Sequence, residues 1–224
     1  MLYTQVIGCL LWPVVILHPD TAFTVGILSQ FIQNPGPAHL EGVKRIITYL
    51  GNMKNLWLTF GGHGNPILDG YCDADQAGQP HRHSISRYLF HMATGAITWS
   101  SKKQYIVTLL STEAEYVTQT YAAKEVMYLH AFVQEICGLD KPIAINCDNQ
   151  GVIVLSKDNR FHTWTKHIDI WYHFVQEAVE DRKITLKYIP TDENLVDIFT
   201  KPLMKTKFYH FTELLGLKDV DASW

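Results

Sequence analysis

Apolar positions recur along this chain with two different periods, and the place where one gives way to the other divides it. The stretch from Leu2 to Leu17 is almost continuously apolar and carries Pro13. It reads as a buried helix. From Thr21 to Ile32 the apolar residues Phe23, Ile27, Leu28 and Phe31 fall at helical spacing, and Asn34-Pro35-Gly36-Pro37 ends the run. A further helix is predicted from Ala38 to Leu50, with Leu40, Val43, Ile46, Ile47 and Leu50 on one face and Gly51-Asn52 closing it. Residues 1–60 therefore read as a helical segment, and 61–66 (GGHGNP) as a linker. Beyond it the texture changes. Residues 67–75, 87–92 and 96–101 read as three strands joined by short turns. A long helix follows, from about Ser111 to Ile136. Then come a strand at 143–147, helices at 150–155 and 168–179, a strand at 184–189 and a last helix from Asp192 to about Lys201. This order predicts an α/β domain with a mixed five-stranded sheet flanked by helices over 67–217, and a short tail at 218–224.

Composition narrows the class. The chain has 224 residues, 47% of them hydrophobic, enough for a full core. Its net charge of −3 departs from the basic footprint usual in nucleic-acid binders, although bound divalent cations supply positive charge locally. Cys9, Cys72, Cys137 and Cys147 form no C-x-x-C pair and read as buried free thiols of an intracellular protein, not a secreted one. The apolar start lacks a basic flank and is shorter than a spanning helix, so no membrane association is expected.

The acidic residues carry the chemistry. On the long helix, Ala122, Val126, Leu129, Val133 and Ile136 form one stripe, and at about 100° per residue Glu115 falls on it while Glu113 faces away. A carboxylate on a buried face calls for a metal, a cation or a proton. A frayed first turn, with Glu115 in solvent near the helix dipole, is the plainer alternative. Asp148 stands at the end of a strand, where ligands bind in open α/β sheets. It can equally serve as the N-cap of the next helix. Asp73 and Asp75 share one face of the first strand, and spacing does not choose between them. Asp197, taken alone, reads as surface charge. Together these acids offer oxygen ligands suited to Mg²⁺ or Mn²⁺.

The motifs GYCDAD (70–75), TWSSKKQ (98–104), STEAEY (111–116), CDNQ (147–150), TKHIDIWYHF (165–174), Ile189-Pro190-Thr191 and ENLVDIFTKP (193–202) occur in that order. They resemble the ribonuclease H domain of copia-type retrotransposon Pol polyproteins. Residues 20–36 and 43–50 are similar to the tail of the reverse transcriptase in the same polyproteins. The resemblance implies a ribonuclease H-like fold and catalytic, metal-binding carboxylates at Asp73, Glu115, Asp148 and Asp197. It also implies two Mg²⁺ or Mn²⁺ ions and hydrolysis of the RNA strand of an RNA–DNA hybrid during reverse transcription. The implied partners are that hybrid and the upstream polymerase domains. No Tyr-x-Asp-Asp motif occurs, so no polymerase site is expected in this chain. The alternative is a relic or interaction module that keeps the fold without catalysis. The sequence is silent on oligomeric state.

Lys102, Lys103 and Lys166 are candidates for phosphate contact, with solvated charge as the alternative. His167 is a candidate auxiliary group, equally suited to orienting the helix that begins there. His162, His167 and His173 lack the spacing of a zinc site, and His81 and His83 read as turn residues. Trp99, Tyr116 and Phe174 read as core. Four positions depart from the family pattern. Gln76 stands where Trp is usual, Arg87 where Gly is usual in the hairpin, and Trp164 and Trp171 where Arg is common. A bulky residue at 87 is expected to strain or rebuild a turn.

Overall fold

The computed structural model describes residues 2–61, 68–75, 84–105, 111–138, 141–155 and 166–219; the side chains at 111, 155 and 166–170 lie outside that description. Gly62–Pro66, Gln76, His81, His83, His162 and Trp164, with the expectations attached to them, lie outside the described residues. The chain forms two compact units. One gathers Met1–Pro66, His91–Ser101 and Ile198–Trp224, the other Ile67–Phe90 and Lys102–Asp197.

In the first unit, helix α1 (Leu2–Ile16) buries Tyr3, Ile7, Leu10 and Val14, spaced by three and four residues along one stripe. Leu2, Leu11, Trp12, Val15 and Ile16 are exposed, so the expected all-round burial is corrected to a single face. Helix α2 (Ala22–Ser29) ends before Phe31, and α3 (Pro37–Asn52) buries Val43 and Ile46 while Leu40 and Ile47 face outward. The side chains of Asp20 and Tyr49 hydrogen-bond between the start of α2 and α3. Residues 56–58 are not helical: strand β1 (Leu56–Leu58) pairs antiparallel with β7 (Leu217–Asp219). An unpredicted helix, α7 (Lys205–Leu214), precedes β7 and packs against it. Among the described residues no helix is long and apolar enough to cross a membrane.

The five-stranded sheet has the order β4-β3-β2-β5-β6, where β2 is Leu68–Asp75, β3 Ile85–Met92, β4 Gly95–Lys103, β5 Ile143–Cys147 and β6 Ile184–Tyr188. The β3–β4 turn is Ala93-Thr94, both at positive φ (50° and 71°), as a two-residue hairpin requires. Arg87, expected in the hairpin that follows the first strand, lies instead inside β3 with ordinary strand backbone, because β3 begins at Ile85; the connection before it, 76–83, lies outside the described residues. Strands β2, β5 and β6 run parallel. Helix α4 (Ser111–Cys137) packs over β2 and β5. Helices α5 (Gln150–Leu155) and α6 (Lys166–Glu180) complete the layers around β6. This is the mixed sheet flanked by helices that the residue pattern predicts.

Two local expectations are corrected. Ile136, assigned to the buried stripe of α4, is exposed, one residue before the helix ends at Cys137. The single helix expected from Asp192 to Lys201 is two 3-10 turns, Thr191–Glu193 and Leu195–Phe199, broken at Asn194. Asn194 is extended there (ψ 109°), and its side-chain oxygen accepts the Val196 N–H in place of a helical carbonyl.

Candidate metal centre

The parallel register aligns Tyr71 with Asn146. Continued two residues along both strands, it brings Asp73 level with Asp148, on strands about 4.8 Å apart. Cys72 and Cys147, one residue before each acid, are buried free thiols beneath them. Cys9 and Cys137 are exposed, which corrects their assignment to the interior. The side-chain amide of Asn146 donates to the Gly70 carbonyl at 2.9 Å and fixes the same pair of strands. Gly70 itself leaves room for the ring of Phe90, which would lie 2.4 Å from a Cβ at that position.

Glu115 reaches this point from α4. Carboxylate oxygens of Asp73, Glu115 and Asp148 all lie within 4.8 Å of one another. Glu115 is only 8% exposed, as its place on the apolar stripe predicts, whereas Glu113 is half-buried. Its Oε2 is buried with no hydrogen-bond partner among the described residues. The start of α4 is held by Gln104, whose buried amide donates to the Ala114 carbonyl at 2.9 Å and to Ser86 Oγ at 2.8 Å. Gln104 closes the TWSSKKQ motif, yet reasoning from sequence singled out only the lysines there. Its signal was available: a lone amide at a strand end just before the helix that carries Glu115.

Asp197 is buried, at 3% exposure, in the turn Leu195–Phe199. It is not among the three acids that converge, but its charge acts on Asp73. The turn is tethered by Asn194, whose amide donates to the Cys72 carbonyl at 3.2 Å. On Asp148, Oδ2 accepts a 2.8 Å hydrogen bond from the Thr191 hydroxyl. Asn194 and Thr191 both lie in quoted motifs and were assigned no role from sequence; their contacts join segments too distant for spacing to connect.

Crowded acids shift one another. Burial, then the charge of Asp148, pushes the Asp73 carboxyl up to about 6, with Arg87 pulling the other way. Burial, then Asp73 and Asp148, pushes Glu115 up to about 9. A partnerless buried oxygen and mutually repelling carboxylates fit a divalent cation, which would relieve both. Hard oxygen donors suit Mg²⁺ or Mn²⁺.

The other candidates are less tightly placed. Lys102 and Lys103 are exposed at the end of β4, with Lys102 Nζ 5.4 Å from the Tyr105 ring centroid. The side chains of Lys166 and His167 lie outside the described residues; their backbone opens α6. Tyr116 is core, and its hydroxyl donates to the Val152 carbonyl. The Trp99 indole N–H donates to the Val14 carbonyl at 2.8 Å, so that ring anchors α1.

No protein-family model matches this chain. It is 43% identical over 216 residues, 96% of its length, to the retrovirus-related Pol polyprotein from transposon TNT 1-94 of Nicotiana tabacum. It is 35% identical over 99% of its length to the retrovirus-related Pol polyprotein from transposon RE1 of Arabidopsis thaliana. The chain spans only 16% and 15% of those two polyproteins. It also covers 90% of the secreted RxLR effector protein 161 of Plasmopara viticola, at 41% identity over 57% of its own length. Among solved structures, LC11-RNase H1 overlaps 59% of this chain and 91% of its own, at 15% identity and a TM-score of 0.46. The near end-to-end similarity to the two transposon polyproteins identifies the chain as a member, by segment, of the retrovirus-related Pol polyprotein family of copia-type transposons.

Proposed function

We propose that this segment is a divalent-metal-dependent ribonuclease H that hydrolyses the RNA strand of RNA–DNA hybrids during reverse transcription. The observation that carries this reading is the convergence of Asp73, Glu115 and Asp148 within 4.8 Å around a buried, partnerless Glu115 oxygen. Asp73, Glu115 and Asp148 would hold one ion, and Asp73 with Asp197 a second. Bound divalent ions supply a Lewis acid and an activated water for attack on a phosphodiester. The protein's share is to assemble the ligands. Thr191 orients Asp148, Gln104 sets the first turn of α4, and Asn194 ties the turn that carries Asp197 to Cys72, the residue before Asp73. Glu115 would bind the ion as the carboxylate, so its proton would pass to solvent on binding. Lys102 and Lys103, exposed at the end of β4, would meet backbone phosphate, and the 2′-hydroxyls would mark the strand to be cut. The hybrid and the upstream polymerase domains of the same polyprotein are the partners, inside the cell.

The test is cleavage of an end-labelled RNA–DNA hybrid in Mg²⁺ by the chain and by Asp148→Asn. The variant should fold and not cut; equal activity in both sinks the assignment. A second reading, an interaction module without cleavage, is favoured by one comparison: a relative covered over 90% of its length is named as an effector and not as a polyprotein. It predicts no cleavage by either protein.

A further inference from the structure

Arg87 has no place in the chemistry described so far, and its position is unusual. Its side chain is fully buried (0% exposed), and its Nη2 lies 3.5 Å from Asp75 Oδ2. A buried guanidinium stays charged and must be balanced by acids around it. Asp75 sits two residues from Asp73 on β2, so both carboxylates leave the same face of the strand. The turn that carries Asp197 is tied to β2 by the Asn194 bond to Cys72, the residue before Asp73. Burial lowers the tendency of Arg87 to hold its proton, and Asp75, Asp73 and Asp197, in that order, restore it. The positive charge is therefore paired with Asp75, beside Asp73 on β2, and it also acts on Asp73 and Asp197. Glu115 and Asp148 converge with Asp73, their oxygens all within 4.8 Å of one another.

We infer that Arg87 is a resident cation of the metal centre that makes its two ion positions unequal. The position on Asp73, Glu115 and Asp148 fills readily. The position that Asp73 would share with Asp197 is weakened, because a second divalent ion there meets a fixed positive charge, paired with Asp75, that acts on both carboxylates. The inference rests on the divalent-metal reading above and specifies which half of that site this chain has altered. Arg87 acts through the carboxylates and is a positioning and affinity-setting residue, not a catalytic one.

Mn²⁺ titration followed by calorimetry, with electron paramagnetic resonance to count bound ions, tests this on the whole chain without any nuclease assay. The wild type should bind one ion tightly and a second at least about tenfold more weakly. Arg87→Met keeps the aliphatic stem and deletes the charge. It should raise affinity for the second ion at least about tenfold and leave the first within about threefold. Two equal ions in the wild type overturn the inference, and that result needs no variant, so a poorly folding Arg87→Met does not shield it. A weak second site that Arg87→Met and Arg87→Gln, both folded by circular dichroism, leave unchanged also overturns it. No ion bound by the wild type or either variant defeats the metal reading itself, a different result from two equal ions.

Discussion

The Asn194 side-chain amide donates to the Cys72 carbonyl across 122 residues of sequence. One hydrogen bond thus ties the turn that carries Asp197 to the strand that carries Asp73. Asn194 is fully buried and breaks the chain into two 3-10 turns where a continuous helix would point Asp197 elsewhere. Asn194→Ala should destabilise the fold by about 1–3 kcal/mol, because a buried carbonyl loses its donor. Asn194→Asp should not restore it, since an ionised carboxylate has no proton to donate. Urea denaturation of the three proteins checks this; equal midpoints would contradict it.

Thr191 holds Asp148 at 2.8 Å from outside the converging acids. Partners of this kind typically contribute about 10–100-fold to metal affinity or activity. Thr191→Val should lower Mn²⁺ affinity within that range, and Thr191→Ser should keep it. The comparison isolates the hydroxyl, because Thr191 is exposed and its substitution leaves the core intact.

Stability should depend on pH in a direction opposite to that of most acidic clusters. The Asp73 and Glu115 carboxyls are raised from 3.8 to about 6 and from 4.5 to about 9. Between about pH 4 and pH 9 the folded chain then binds more protons at these groups than the unfolded chain. Their contribution is present at low pH and is lost as pH rises, through about 6 for Asp73 and about 9 for Glu115. In chelator the melting temperature should fall over that window. Glu115→Gln should flatten the upper part. Saturating Mg²⁺ should remove the fall, since binding releases the same protons and gains affinity with pH. A melting temperature that rises with pH in chelator would contradict the geometry.

Much of this was legible from residue order, and the remainder has physical reasons for being hidden. The burial of Glu115 over Glu113 follows from helical period alone, and the end of β5 at Asp148 follows from an apolar run that stops. Asp73 over Asp75 does not follow from period, because alternate strand residues share a face. It takes the register with β5 and the guanidinium of Arg87, which engages Asp75. Arg87 read as a misplaced turn residue because the ends of β3 are set by pairing with distant strands. The 3-10 turns around Asn194 were hidden for a like reason: a side chain satisfied by Cys72 overrides a local helical pattern. The strand β1 was invisible because its partner, β7, begins 159 residues beyond the end of β1.

The central claim is that these carboxylates hold divalent metal for cutting RNA paired with DNA. The direct measurement places the label on either strand of a hybrid, with duplex DNA as control, in Mg²⁺ and in chelator. Cleavage confined to the RNA strand of the hybrid, absent in chelator and absent in Asp148→Asn, is the predicted result. Cleavage that persists in chelator, or that cuts duplex DNA equally well, would contradict it.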